Sequence, residues 1–211
     1  MNVVFFNVDT QYDFMRDDET HKGALPVPGA RDIEGKLEEL TKFAAEHRLK
    51  VVNTADWHIE DSFEISDKPD YKTTFPPHCM QNTKGALYVP ATDPENPYVI
   101  DWQESILDED KVQSHRNLVL LKDEFSVFTG SPHTERVLEL IKPTVAVVYG
   151  VATNVCVHYA VMGLRQHDIA VRVPIDAIQE LPNLPLEYTL LAWRKIGVQL
   201  TDTHAILREL G

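Results

Sequence analysis

The sequence has few cysteines and no spacing typical of a disulfide-rich scaffold. Only Cys79 and Cys156 occur among its 211 residues, and they lie far apart. In a reducing compartment both are expected to be free thiols. A free cysteine is most often a small core residue, but it can also be a nucleophile. The rest of the chain has to decide which role each cysteine has.

Basic residues are also scarce. Lys and Arg total 20 against 33 Asp and Glu, which gives a formal net charge of -13, and no basic cluster interrupts this balance. Nucleic acids and anionic membrane surfaces are therefore poor partners, because both carry negative charge themselves. A small molecule is the expected partner, and the formation of a homo-oligomer stays open.

No segment has the pattern of a membrane span or a targeting leader. The first residues, MNVVFFNVDTQYDF, place only six residues between Asn2 and Asp9 and carry no basic side chain, so we expect neither a signal peptide nor a transmembrane helix there. A cytoplasmic location is therefore expected. The length and the 43% hydrophobic content suit a single domain over residues 1–211.

Short apolar runs alternate with segments of helical period. The runs are rich in Val, Ile and Phe and too continuous for strands with one wet face, which is typical of a buried parallel sheet. We predict strands at 3–8, 50–55, 117–122, 144–151, 169–175 and 197–202, and helices at 32–47, 134–141, 154–166 and 186–195. The alternation predicts an α/β protein, a three-layer α/β/α sandwich with a mostly parallel, six-stranded, doubly wound sheet.

Residues 57–116 break this pattern and form a long, loop-rich insertion. Pro, Asp, Thr and Asn are frequent there and the periodicity fades. Loops this long inside a compact domain are usually functional. In doubly wound sheets, ligands bind beyond the carboxyl ends of the strands, near the point where the strand order reverses. The residues that directly follow each strand are therefore the candidates for function.

Polar or reactive side chains follow four of the predicted strands. Asp9 follows the first strand, Asp56 and His58 follow the second, Lys122 ends the third, and Cys156 follows the fourth. Each has an ordinary explanation when taken alone, such as a turn aspartate, a solvated lysine or a core cysteine. Their coincidence at one edge of the sheet favours a chemical role.

Asp9, Lys122 and Cys156 together suit nucleophilic catalysis. A thiol with an ordinary pKa of about 8.5 is only partly ionised at neutral pH, and a helix amino terminus and a nearby ammonium both favour the thiolate. A neighbouring carboxylate can take the thiol proton and hand it later to a leaving amine. The three residues therefore predict a catalytic triad.

Asp56, His58 and His78 form a candidate metal site. The D-x-H spacing holds a carboxylate and an imidazole close together, and the FPPHC segment offers a second imidazole from a rigid turn. Two histidines and one carboxylate suit zinc, iron or manganese. Because nine histidines are spread over the chain, chance proximity of two of them to a loop is the alternative.

These segments carry a family resemblance. VDTQYDF and GVATNVCV resemble motifs of the isochorismatase-like cysteine hydrolases, and the resemblance runs over most of the chain. It implies the isochorismatase-like fold, with Asp9, Lys122 and Cys156 as the triad. It also implies a cis peptide bond between Val151 and Ala152, with the backbone N–H groups of Ala152 and Cys156 forming an oxyanion hole.

Within that family, the metal motif resembles that of the nicotinamidases, as seen in ADWH and TFPPHC. The implied activity is hydrolysis of nicotinamide to nicotinate and ammonia through a cysteine thioester, in NAD salvage. Zinc is the expected ion, with iron and manganese as alternatives. The implied ring-binding residues are Phe14 and Phe75, and Val151 is a further candidate for substrate binding. Glu64 is a candidate for a further metal ligand, with its neighbours at positions 60 and 61 as competitors.

Two alternatives stay open. One is a metal-independent cysteine amidohydrolase of the same superfamily, acting on a carbamoyl or ureido compound. The other is a non-catalytic metal- or ligand-binding protein on this fold. The chain departs from the family pattern in a charged insertion at 16–22 and in a long segment at 89–116, so the motifs do not set the entrance loops or the exact pyridine carboxamide. Cys79 is expected to be structural.

Overall fold

A computed structural model describes residues 2–182 and 185–211. The β-strands are β1 (Val3–Val8), β2 (Lys50–Asp56), β3 (Tyr98–Ile100), β4 (Asn117–Lys122), β5 (Val145–Val151), β6 (Ala170–Pro174), β7 (Ile178–Gln179) and β8 (Gln199–Thr201). The α-helices are α1 (Tyr12–Met15), α2 (Glu34–Glu46), α3 (Glu109–Ser114), α4 (Val127–Gly130), α5 (Thr134–Ile141), α6 (Cys156–Gln166), α7 (Leu186–Lys195) and α8 (Thr203–Leu210). In this part of the chain, every helix is too short or too polar to cross a bilayer.

The strands form one sheet flanked by helices. Its order is β3-β4-β2-β1-β5-β6-β8, and β7 pairs with β5 off this path. Every pairing between these strands is parallel. The predicted α/β sandwich with a mostly parallel sheet is confirmed, but the sheet has eight strands and not six. The two strands absent from the prediction, β3 and β7, are three and two residues long, too short to stand out as apolar runs.

The strand β1 lies at the point where the strand order reverses. The chain leaves β1 to form β2 on one side and later forms β5 on the other side. In such sheets the loops after the two central strands open outwards and leave a crevice at their carboxyl ends. Asp9, directly after β1, and the turn after β5 therefore meet at this crevice.

Both faces of the sheet are buried, which explains the continuous apolar runs. Along β1, Val4, Phe6 and Val8 point into a core shared with α5, α6 and α7, whereas Phe5 points into a second core shared with α2 and α8. Successive side chains of a strand alternate between faces, so a strand covered on both sides needs apolar residues at every position.

Most predicted boundaries agree with the structure to within two residues. The third predicted helix begins later than expected: α6 starts at Cys156 and not at residue 154, because the preceding Val155 has the non-helical angles φ -128° and ψ -102°. Likewise α2 begins at Glu34, after a 3-10 turn at Ala30–Ile33. Residues 57–116 contain β3, α3 and a 3-10 turn and are otherwise irregular.

Candidate active site

The side chains of Asp9, Lys122 and Cys156 meet at the carboxyl edge of the sheet, where all three are buried. Lys122 Nζ lies 3.0 Å from Asp9 Oδ2 and 3.9 Å from Cys156 Sγ. The other carboxylate oxygen of Asp9 accepts a hydrogen bond of 2.5 Å from Thr54 Oγ1. The sulfur and the carboxylate oxygens of Asp9 and Asp56 lie within 4.8 Å of one another. The structure thus brings the three residues of the predicted triad together.

Close approach of β5 to β1 makes this meeting geometrically possible. Gly150 has φ +119°, and a Cβ there would lie 2.1 Å from the carbonyl oxygen of Val8. Only glycine suits a position that is both left-handed and this crowded. Asp9 itself has φ 49°, a conformation that Asp tolerates better than most residues, and it turns the chain sharply after β1.

Lys122 is held as a buried cation between two carboxylates. It forms ion pairs with Asp56 and Asp9, and its ammonium also donates to the carbonyl oxygen of Glu124 at 3.0 Å. Burial lowers the pKa of Lys122, but Asp56 and Asp9 outweigh this and raise it well above its usual range. Burial likewise acts to raise the pKa of Asp56, but Lys122 and the imidazoles of His58 and His78 lower it well below its usual range.

The pKa shifts of Asp9 and Cys156 favour the neutral forms of these groups, whereas those of Asp56 and Lys122 favour the charged forms. Burial raises the pKa of Asp9, and the nearby ammonium of Lys122 only partly opposes it. Burial also raises the pKa of the Cys156 thiol well above its usual range, and Asp9 and Asp56 add to this. The expectation of a favoured thiolate is therefore not met in the protein alone, because two carboxylates and burial outweigh one ammonium.

The turn after β5 carries the sulfur. The peptide bond between Val151 and Ala152 is cis, as the resemblance implies. The Ala152 carbonyl accepts hydrogen bonds from the N–H groups of Val155 and Val157 at 3.0 and 3.2 Å, which wraps the turn tightly onto the start of α6. This places Cys156 as the first residue of that helix.

The predicted metal ligands also come together. Asp56 Oδ2 lies 3.7 Å from the Nε2 atoms of both His58 and His78, and all three side chains are buried. The Nδ1 atom of His78 lies 2.8 Å from the Pro76 carbonyl oxygen, and that of His58 lies 2.9 Å from Asp123 Oδ1. Since both of these partners are acceptors, each Nδ1 carries the proton and each Nε2 is left to face the carboxylate.

These residues fit a divalent transition metal. Bonds of about 2.0–2.1 Å in a tetrahedral site put ligand atoms about 3.4 Å apart, close to the separations around Asp56 Oδ2. Among the described residues, His58 Nε2 is buried without a hydrogen-bond partner, as an atom reserved for a metal would be. Burial lowers the pKa of His58, but Asp123 and Asp56 raise it to about 9. A metal ion would compete with that proton.

Of the three acidic candidates for a further ligand, only Glu64 is buried, and Glu60 and Asp61 are exposed. Glu64 Oε1 accepts a hydrogen bond of 2.6 Å from the Phe125 N–H. Its Oε2 is buried and has no hydrogen-bond partner within residues 2–182 and 185–211. Burial and then Asp56 raise the pKa of Glu64 to about 8. It lies outside the tight cluster of the other three ligands.

A small cavity connects the sulfur of Cys156 with the candidate metal ligands. Asp56, His78 and Cys156 line it, and its volume is about 20 Å³, far below the ~300–1,000 Å³ of typical ligand pockets. A substrate therefore requires its walls to move apart. The remaining lining residues are Phe14, Leu25, Val27, Phe75, Phe125, Ala152, Val155 and Leu181.

Phe14 and Phe75 thus lie where the sequence analysis expects ring-binding residues, with ring centroids 5.4 and 6.3 Å from that of His78. Val151 does not line the cavity. It ends β5, and its side chain is buried in the core beneath α2, because alternation along the strand turns it away from the crevice. Sequence reasoning missed Phe125, although it follows Lys122 by only three residues.

The sequence analysis missed two further acidic residues, which bind the segments that carry His58 and His78. Asp123 lies directly after Lys122 and contacts His58. Asp13 Oδ2 accepts a hydrogen bond of 2.7 Å from the N–H of Cys79, next to His78. Cys79 is fully buried and, unlike Cys156, does not line the cavity beside the candidate metal ligands, which agrees with a structural role. Asp13 belongs to the VDTQYDF motif, so its place in the sequence could have drawn notice.

The family follows from comparison with known proteins. Residues 3–205 match the Isochorismatase domain, so the chain belongs to the isochorismatase family. The curated nicotinamidase/pyrazinamidase of Mycobacterium tuberculosis is 35% identical over 86 residues, which cover 41% of this chain and 43% of that protein. The match thus spans less than half the length of that relative.

Solved structures share the fold across nearly the whole chain. The pyrazinamidase of Pyrococcus horikoshii in complex with zinc has a TM-score of 0.76 at 24% identity, covering 96% of this chain and 99% of that one. The N-carbamoylsarcosine amidase of Thermoplasma acidophilum has a TM-score of 0.73 at 18% identity, covering 96% and 97%. The fold is therefore common to proteins named for different amide substrates.

Proposed function

We propose that this protein is a nicotinamidase, which hydrolyses nicotinamide to nicotinate and ammonia and so serves NAD salvage. The observation that carries the proposal is the buried cluster of Asp56, His58 and His78, of which Asp56 and His78 line the same cavity as Cys156. The nicotinamidase/pyrazinamidase relative supports it, as does the zinc complex of a pyrazinamidase with the same fold.

The covalent step uses Cys156 and Asp9. Because the pKa of the thiol is raised, its proton passes to Asp9 as the sulfur attacks the carboxamide carbon. The tetrahedral adduct then collapses, the C–N bond breaks, and the nitrogen leaves as ammonia with the proton from Asp9. A raised pKa suits Asp9 to this exchange, because a carboxyl that titrates closer to neutrality both accepts and returns a proton readily.

Hydrolysis of the thioester uses the same two residues in reverse. Asp9 takes a proton from a water molecule, whose oxygen attacks the thioester carbon, and the sulfur leaves and regains a proton from Asp9. In both stages the backbone N–H groups of Ala152 and Cys156 stabilise the oxyanion. Lys122 forms ion pairs with the carboxylates of Asp9 and Asp56 and so holds both beside the sulfur.

Asp56, His58 and His78 would contribute to substrate selection by holding a metal ion. A divalent ion held by Asp56, His58 and His78, zinc in the first instance with iron or manganese as alternatives, would supply a Lewis acid that receives the pyridine nitrogen. The aromatic side chains of Phe14 and Phe75 flank the ring once the cavity opens. Glu64 lies close enough to Asp56 and His58 to interact with them electrostatically.

The alternative is a metal-independent amidohydrolase that acts on a carbamoyl or ureido compound. The shared fold of N-carbamoylsarcosine amidase favours this alternative, whereas a buried set of two histidines and one carboxylate favours the nicotinamidase. A non-catalytic protein would need neither a buried triad nor a connecting cavity.

Ammonia release separates these proposals. We expect turnover of nicotinamide, loss of it on chelation, and recovery with a divalent transition metal. Benzamide has the same shape without the ring nitrogen and should react far more slowly, by up to ~10⁴-fold, because the metal would lose its ligand. Equal kcat/KM for the two amides would contradict metal recognition. Turnover of N-carbamoylsarcosine by metal-free protein would support the alternative, and no ammonia from any of these would indicate a non-catalytic protein.

A further inference from the structure

The carboxylate of Asp123 connects the end of β4 with the loop that carries His58. Its Oδ1 accepts a hydrogen bond of 2.9 Å from His58 Nδ1 and another from the Ser62 hydroxyl. The Ser62 oxygen in turn accepts the Ile59 N–H at 2.9 Å. A single carboxylate oxygen therefore fixes both ends of the turn at residues 58–62.

The two histidines of the cluster are held in different ways. His78 Nδ1 donates to the carbonyl of Pro76, two residues away in its own turn. His58 Nδ1 instead donates to Asp123, 65 residues away on another element. The hydrogen bond at Nδ1 of His58 thus comes from a side chain outside its own loop, whereas that of His78 is made to the backbone of its own turn.

The start of this loop is fixed by the backbone of the same strand end. The N–H of Trp57 donates to the carbonyl of Lys122 at 2.9 Å, directly before Asp123. The β4 terminus therefore supplies a triad residue at position 122 and holds His58 through position 123. Because His58 Nε2 has no hydrogen-bond partner among the described residues, the hydrogen bond at Nδ1 is the one that sets the direction of the ring.

We infer that Asp123 is the positioning residue of the metal centre: it holds His58 in the tautomer and ring orientation that aim Nε2 at the site shared with Asp56 and His78. The inference rests on the proposed metal site and deepens it. A carboxylate behind a ligating imidazole also makes that imidazole a stronger ligand, and loss of such a partner typically weakens metal affinity about 10–100-fold.

The test is the zinc dissociation constant, measured by competition with a chromophoric chelator, together with the visible spectrum of the cobalt-substituted protein. We expect Asp123→Ala to weaken zinc binding by about 10–100-fold and to change the cobalt spectrum. Asp123→Asn should have a smaller effect on both, because the amide oxygen can still accept from Nδ1. Ser62→Ala should weaken binding less than Asp123→Ala, because the hydrogen bond to His58 remains.

Asp67→Ala is the matched control. Asp67 is an exposed carboxylate on the open groove beside His58, so its removal changes the charge of the loop by the same amount without touching the ring. We expect unchanged zinc affinity. An equal loss in Asp67→Ala and Asp123→Ala would show a general charge effect and overturn the positioning role.

The remaining outcomes separate this inference from the proposed function. If the wild-type protein binds neither zinc nor cobalt, the metal site itself is wrong and the inference fails with it. If the wild type binds zinc and Asp123→Ala binds it equally well, the metal site stands and only the role of Asp123 is overturned. If circular dichroism shows that Asp123→Ala does not fold, the test rests on Asp123→Asn and Ser62→Ala. Unchanged zinc affinity and unchanged cobalt spectra in both of these variants would overturn the positioning role of Asp123.

Discussion

The two halves of the candidate active site are built differently. Asp9 and Lys122 stand at or just beyond the ends of β1 and β4, so the register of a parallel sheet sets their positions, and the tight turn after β5 places Cys156 beside them at the start of α6. His58 and His78 stand on irregular backbone, and individual hydrogen bonds set their positions. A strand-borne site inherits the rigidity of the core, whereas a loop-borne site needs its own supports.

Asp56 belongs to both halves. It ends β2, one of its oxygens pairs with Lys122, and the other faces His58 and His78. A change at Asp56 should therefore disturb the triad and the metal cluster together, whereas a change in the loop should disturb only the metal cluster. This asymmetry makes the comparison testable.

The largest effect is expected at the sulfur. Cys156→Ala removes the nucleophile and should reduce kcat by roughly 10³-fold or more, with little effect on folding or zinc affinity. Cys79→Ala is the control, because its thiol is buried beside the metal loop and takes no part in the proposed chemistry. We expect it to retain most of the kcat. Comparable losses of kcat in the two variants would show that the strand-borne cysteine is not the nucleophile.

The next largest effect is expected on the rate at which Cys156 is alkylated in metal-free protein. This rate should respond to changes in the triad but not to changes in the metal-binding loop. Asp56 raises the pKa of that thiol, so Asp56→Asn should lower the pKa and speed reaction with iodoacetamide at fixed pH. His58→Ala should leave the rate unchanged, because His58 does not line the cavity beside the sulfur. Both variants should lose zinc binding and about 100-fold or more in activity. A faster alkylation rate in His58→Ala would contradict the independence of the loop from the triad.

The strand-borne half could be predicted from the sequence because its physical rules are general. Continuous apolar runs indicate buried parallel strands, and such strands put Asp9, Lys122 and the turn that leads to Cys156 at one edge of the sheet. The short strands β3 and β7 could not be found, since two or three residues carry no periodicity. The raised pKa of Cys156 could not be found either, because it depends on how many carboxylates burial brings beside the sulfur.

The loop-borne half depended on motif resemblance. The D-x-H and FPPHC segments indicate His58 and His78, but nothing in local sequence says that Asp123 or Asp13 supports them. Those hydrogen bonds join residues 65 or 66 positions apart, so they exist only once the fold has formed. Val151 differs from these residues: its side chain is buried in the core and does not line the cavity, so its contact with substrate stays a prediction.

A smaller effect, on zinc affinity, is expected from a change at Asp13, which binds the backbone next to His78. Its carboxylate accepts N–H groups from Cys79 and Ala24 and lies 3.0 Å from His21 Nε2. Asp13→Asn would turn an amide N–H towards a buried N–H, at a cost of about 1–3 kcal/mol. We expect zinc affinity to fall about 10-fold through displacement of His78. The alkylation rate of Cys156 should stay at the wild-type value, and a changed rate would show that this support extends to the triad.

The smallest effect on catalysis, and a measurable one on stability, is expected at Glu64. Its pKa is raised to about 8 in the folded protein, against about 4.3 in an unfolded chain. The folded state therefore holds the proton more tightly, so its stabilising contribution is present below about pH 4 and is lost as the pH rises through 8. Glu64→Gln mimics the protonated form and can still accept the Phe125 N–H.

In metal-free protein, we expect this variant to exceed the wild type in free energy of unfolding by about 1–3 kcal/mol at pH 9 and to match it near pH 4. The upper limit set by the full pKa shift is about 5 kcal/mol, and relaxation of the site reduces it. Urea denaturation at the two pH values measures the difference, with Glu60→Gln as an exposed control. Saturating zinc should narrow the gap at pH 9, because a bound cation offsets the same charge. If zinc leaves the difference in free energy of unfolding at pH 9 unchanged, Glu64 does not interact electrostatically with the metal site. The metal-binding half would then consist of Asp56, His58 and His78.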